Sequence, residues 1–123
     1  MNENIDVTVR CEYRADSSDP AASRYAFAYH ITISNRSAEH AQLISRHWII
    51  TDGNERRQEV RGLGVVGAQP RIPPGESFEY TSGAMLETAV GTMEGSYRMV
   101  RDDGREFGVP IPAFRLAVPH AVN

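Results

Sequence analysis

The chain has 123 residues, 24% charged and 41% apolar, which is the size and balance of one globular domain able to bury a core without a disulfide or metal staple. The net charge is -3, all 13 basic residues are arginine, and no basic run exceeds Arg56-Arg57, which argues against a duplex nucleic-acid partner. One cysteine, Cys11, rules out an intrachain disulfide, and no apolar run approaches the ~18 residues of a membrane span, so a cytoplasmic protein without membrane insertion is expected.

Residues 5–14 alternate cleanly, with Ile5, Val7, Val9, Cys11 and Tyr13 on one face and Asp6, Thr8, Arg10, Glu12 and Arg14 on the other. That period of two is a half-buried strand, and it places Cys11 as a buried, inert thiol. Asp16 to Ser23 reads as a turn-rich loop. A second strand covers about 24–34, with Tyr25, Phe27, Tyr29, Ile31 and Ile33 on one face. A third covers about 41–51 and carries the only tryptophan, Trp48; Asp52-Gly53-Asn54 then supplies a hairpin turn.

The fourth strand is short, about 57–61. Pro73-Pro74-Gly75-Glu76 has the order of a type II turn that launches a fifth strand, about 77–81. Residues 85–95 show little pattern and are expected to hold one helical turn or an irregular connection. A sixth strand spans about 96–102, with Tyr97, Met99 and Arg101 opposite Arg98 and Val100, and Asp103-Gly104 forms the next turn. A seventh, about 106–118, contains Pro110 and Pro112, so it belongs at a sheet edge with a kink near 109–112. Seven strands with frequent turns indicate an all-β, antiparallel β-sandwich with an ordered core over about 5–118; a closed barrel is the alternative. An inner-face Trp48 favours the sandwich, as does Tyr97, placed where the tyrosine corner of immunoglobulin-like domains lies.

The stretch R-G-L-G-V-V-G-A-Q-P-R-I-P-P-G carries a G-x-G-x-x-G pattern at Gly62, Gly64 and Gly67. In a dinucleotide site such glycines precede a helix whose N-terminus holds pyrophosphate. Here Pro70, Pro73 and Pro74 break any helix, and no Lys-Ser/Thr succeeds the glycines. The main reading is a bent connection. A nucleotide or pyrophosphate site, with Arg61 and Arg71 flanking it, is the alternative, and a small-molecule phosphate ligand is not the first expectation.

His30, His40, His47 and His120 lack ligand spacing, so no metal and no cofactor are expected; Asp102-Asp103 could hold Mg²⁺ weakly but suits a turn better. No G-x-S-x-G or paired-carboxylate arrangement points to catalysis, and no catalytic residue is assigned. What remains is surface. If the third, sixth and seventh strands share a sheet, His47, Ile49, Arg98, Val100 and Arg115 form one outward face of apolar groups and arginines, a composition common at protein interfaces. An ordinary exposed sheet face is the plainer alternative.

Three stretches, G-L-G-V-V-G-A-Q-P-R-I-P-P-G-E-S-F-E-Y-T-S-G, G-T-M-E-G-S-Y-R-M-V and F-G-V-P-I-P-A-F-R-L, together with H-W-I-I-T-D-G-N, resemble the ApaG family over nearly the whole chain. The resemblance implies a single ApaG domain with a fibronectin type III-like or immunoglobulin-like sandwich. It implies a bacterial protein often encoded beside a diadenosine-tetraphosphate hydrolase, and kinship with a domain of certain F-box proteins and of a polymerase-delta-interacting protein that is thought to bind other proteins. Some members carry a cobalt and magnesium efflux label, which without a membrane span implies an indirect role. The expectation is a non-enzymatic protein-interaction module whose protein partner the residues do not identify.

Overall fold

The computed structural model describes residues 3–119. Alternating apolar residues build eight strands: β1 (Ile5–Tyr13), β2 (Tyr25–Asn35), β3 (Ala41–Asp52), β4 (Arg57–Leu63), β5 (Arg71–Ile72), β6 (Ser77–Leu86), β7 (Val90–Val100) and β8 (Glu106–Ala117). All pairings are antiparallel. One sheet has the order β1-β2-β6; the other runs β4-β3-β7-β8, with β5 also on β3. The two-sheet sandwich is the expected architecture, with eight strands in place of seven.

The extra strand, β5, is two residues long and has no period to read. It is fixed instead by Asn35, a buried side chain whose Nδ2 donates to Ile72 O at 2.9 Å and Glu39 O at 2.8 Å. The loop expected over Asp16 to Ser23 begins one residue earlier and holds two short 3-10 turns, Ala15–Ser17 and Pro20–Ala22.

The expectation for residues 85–95 is corrected. β6 continues to Leu86 and β7 starts at Val90, so most of that segment is strand. Its glycines hide the pattern because they mark close backbone approach. A Cβ at Gly95 would stand 2.1 Å from His47 O, and one at Gly91 2.6 Å from Thr51 O. Tyr97 therefore lies in mid-strand and is no tyrosine corner. Its hydroxyl is hydrogen-bonded to the Tyr80 hydroxyl across the core, not to the backbone.

β8 is the edge strand that its prolines require. Met93 pairs with Phe114 and Gly95 with Ile111, so Pro112 and Ala113 bulge out opposite Glu94. The turns obey their residue chemistry. Gly75 has φ +78 and Glu76 N donates to Pro73 O at 3.1 Å; Gly104 has φ +91. In the β3–β4 turn the left-handed residue is Glu55 (φ 64) and not Gly53, because Asp52 Oδ1 accepts from Asn54 N at 2.8 Å and Arg56 N at 3.0 Å.

The core lies between the sheets. Phe27, Ile31 and Ile33 from β2 meet Leu43 and Trp48 from β3 and Met93, Tyr97 and Met99 from β7, all nearly inaccessible. Trp48 packs edge-on to Tyr29 and Phe114 with ring centroids 5.3 and 5.9 Å away. Arg101 shares this inner side. Its Nη2 donates to Glu3 O at 3.0 Å and pairs with Glu3 Oε1 at 3.2 Å, while Nη1 donates to Ser37 Oγ at 2.9 Å.

Candidate functional site

β4, β3, β7 and β8 lie side by side, so cross-strand register decides which side chains meet outside the second sheet. His47 pairs with Arg61 on β4 and Ser96 on β7; Ile49 pairs with Glu59 and Glu94. Arg98 pairs with Ser45 and Gly108, Val100 with Gln42 and Glu106, and Arg115 with Thr92. The register thus brings His47, Ile49, Arg98, Val100 and Arg115 onto one face. The face is laced with ion pairs. His47 Nε2 is 2.8 Å from Glu59 Oε1, Arg61 Nη2 3.4 Å from the same oxygen, and Arg98 Nη1 3.4 Å from Glu106 Oε1. The His47 hydrogen bond, with the Arg61 charge adding to it, holds the Glu59 carboxyl below its usual range.

Within this face lies an open depression of about 520 Å³. It exists because Ser45, Ser96 and Gly108 are small. Its rim is His47, Arg61, Leu63 and Arg98, and no carboxylate lines it. Leu63 is 75% exposed, the most open of the large apolar side chains among the described residues. Leu63 lies beyond the 57–61 strand expected from the sequence; β4 runs on to include it, which places its side chain on the outer face.

The glycine motif departs from a phosphate loop in each respect that matters. Gly62 is a strand residue opposite Arg46. Gly64 (φ +63) begins a tight turn in which Val65 N donates to Ala68 O at 2.8 Å and Ala68 N to Val65 O at 2.9 Å. Gly64 N is also engaged, with Ile44 O at 2.8 Å. Val66 (φ 42) and Gly67 (φ +82) form the left-handed centre of the turn. The turn leads into Pro70 and β5, not into a helix, so the helix dipole of a pyrophosphate site is not supplied. In the structure Gly62, Gly64 and Gly67 shape the connection from β4 to β5.

The other candidates are tied up locally. His30 Nδ1 is 2.7 Å from Thr81 Oγ1 and its Nε2 3.2 Å from Glu12 Oε1; His40 Nδ1 is 3.7 Å from Asp102 Oδ2. His120 lies outside the described residues. Asp102 is bonded by Arg71 Nη2 at 2.6 Å and Asp103 by Arg105 Nε at 2.7 Å, which makes the pair a cross-braced turn. Among the described residues no three His, Cys, Asp or Glu side chains converge as a metal site. Cys11 is half-buried, less enclosed than expected, and its Sγ donates to Arg115 O at 3.0 Å. Burial pushes its thiol up from the usual value. No helix among the described residues is long and apolar enough to cross a membrane.

The ApaG domain profile matches residues 15–101. A Thiobacillus denitrificans protein named ApaG is 57% identical over 119 residues, covering 97% of this chain and 94% of the relative. An Aromatoleum aromaticum protein of the same name is 55% identical with the same coverage. A crystal structure from Bordetella pertussis, described as an ApaA protein, superposes with a TM-score of 0.92 at 55% identity, over 95% of each chain. On the matched profile and these nearly full-length relatives, the chain belongs to the ApaG family.

Proposed function

We propose that the chain is a non-enzymatic, cytoplasmic protein-interaction module of the bacterial ApaG family, binding through the outer face of the β4-β3-β7-β8 sheet. The observation that carries this reading is the depression bordered by Arg61 and Arg98, whose own partners Glu59 and Glu106 lie outside its lining, with Leu63 75% exposed at its rim. Arginine beside an exposed apolar anchor on a rigid sheet suits a protein partner that presents an acidic side chain next to an apolar one. His47, Ile49, Val100 and Arg115 extend the same face around it. The non-catalytic part of the reading is supported by histidines held in carboxylate or hydroxyl pairs and by a half-buried thiol. A link to cobalt and magnesium efflux would run through the captured partner.

The test is quantitative capture from the native cytosol by wild type, Arg98→Glu and Leu63→Asp. Loss of the same captured protein in both variants, with each variant folded, supports the reading. Undiminished capture by both removes it.

A further inference from the structure

Period two from Trp48 places Arg46 on the inner side of β3, an unusual position for arginine. There it meets Tyr80 and Ser82 from β6 in a cleft of about 280 Å³ between the two sheets, roofed by the Val65–Gly67 turn. Four observations converge on this cleft. First, Arg46 is half-buried and has no carboxylate within 4.0 Å among the described residues. Its Nη1 is pinned to Leu63 O at 3.0 Å and Gly64 O at 2.8 Å, which fixes the guanidinium and leaves its other N–H groups to donate elsewhere. Second, Trp48 lines the cleft, and its Nε1, buried in a side chain only 2% exposed, has no acceptor among the described residues. Third, Tyr80 and Tyr97 have two hydroxyl protons and share one hydrogen bond, so one proton of the pair remains to be donated. Burial pushes both phenols up, which keeps both protons in place at neutral pH. Fourth, the roof is strained: Val66, a β-branched residue, is held at φ 42 and is 60% exposed.

A buried donor left without an acceptor is costly, and beside such a donor a cation and the Tyr80 and Ser82 hydroxyls line one small cleft. The acceptor that suits them is an anion. One arginine balances one charge, so a monoanion can enter where a phosphate dianion would bring an uncompensated second charge between the sheets. The guanidinium fork matches a planar carboxylate in two parallel bonds, and Val65 and Val66 offer an apolar wall to its stem. We infer that the cleft beneath the Val65–Gly67 turn is a binding site for a single carboxylate on a short apolar stem, held by Arg46 with the Tyr80 and Ser82 hydroxyls and lying against the Trp48 side chain. The first glycine of the motif belongs to this site: a Cβ at Gly62 would lie 2.9 Å from Nη1 and Nη2 of Arg46, so Gly62 makes room for the guanidinium.

Trp48 is the only tryptophan, so its indole N–H is a unique reporter by ¹H–¹⁵N resonance. Propionate stands for a free carboxylate, a blocked glutamyl tripeptide for a protein-borne one, and inorganic phosphate for the rival anion. The expected result is a saturable shift of the indole resonance with one or both carboxylates at millimolar concentration, and a smaller response to phosphate. The tighter of the two carboxylates identifies the source. Arg46→Met weakens binding about tenfold or more, the loss of a charge-assisted pair. Should Arg46→Met fail to fold, Tyr80→Phe carries the same comparison. Arg46 and Leu63 line both the cleft and the outer depression, whereas Arg98 lines the outer depression alone, so Arg98→Glu binds the carboxylate as wild type does while testing the protein-capture surface. An unmoved indole resonance, phosphate binding as tightly as carboxylate, or unchanged affinity in the folded cleft variants would overturn the inference.

Discussion

Gly64→Ala puts a methyl group 2.3 Å from Ala68 O while holding alanine at φ +63. The left-handed backbone costs roughly 1–2 kcal/mol, and forcing atoms into a packed backbone carbonyl roughly 1–3 more, so a loss of about 3 kcal/mol or more is expected. Gly67→Ala meets the same backbone penalty at φ +82 but has nothing within 4 Å of its Cβ, so its cost stays near the strain alone, about 1–2 kcal/mol. Gly62→Ala has ordinary backbone and clashes only with the Arg46 guanidinium at 2.9 Å; displacing it forfeits the hydrogen bonds to Leu63 O and Gly64 O, roughly 1–2 kcal/mol. Urea unfolding followed by Trp48 fluorescence measures all three. The expected order has Gly64→Ala well below the other two, and Gly62→Ala alone disturbs the carboxylate site without straining the turn. Equal costs for Gly64→Ala and Gly67→Ala, within about 0.5 kcal/mol, would refute the reasoning, because identical strain would then be the whole effect.

Arg101→Met leaves Glu3, a third exposed, without its partner and strips donors from Ser37 Oγ and Glu39 O, so urea unfolding should show a loss of roughly 1–3 kcal/mol; a change within about 0.5 kcal/mol contradicts a structural role for these bonds. The Arg71 hydrogen bond holds the Asp102 carboxyl below its usual 3.8, so its stabilisation is complete above the unfolded value and is lost as pH falls through the depressed folded one. Asp102→Asn should therefore flatten the fall of the urea midpoint below about pH 4, and an unchanged acid limb would disprove the pairing. Cys11, with a thiol pushed up by burial and bonded to Arg115 O, should react with iodoacetamide at neutral pH more slowly in the native protein than in urea; equal rates would show it open.

The long strands were legible because their side chains alternate without interruption, as from Ile5 to Tyr13 and from Tyr25 to Ile33. β7 was half lost because Gly91 and Gly95 carry no side chain to show a period, although they are where β3 comes closest. The outer face could be read from alternation around Trp48 and Tyr97, yet its depression could not. That feature depends on small residues from several strands falling into register across a bulge between Leu43 and Ser45. Arg46 was readable in principle, being two residues from the inner-facing Trp48. Its meaning was not, because Gly62 lies on another strand and Tyr80 in the other sheet, and only the folded chain brings them together. The strain at Val66 left no trace in residue type, since valine is the last residue to choose for a left-handed turn.

The most direct test of the protein-interaction reading is parallel capture from native cytosol by wild type, Arg98→Glu, Leu63→Asp and Met85→Asp, with stability checked for each. Met85 is 52% exposed on β6 in the other sheet and serves as the control for adding charge at an open apolar position. A protein retained by wild type and Met85→Asp is expected to be lost by both outer-face variants. Retention of the same protein by Arg98→Glu and Leu63→Asp would contradict it.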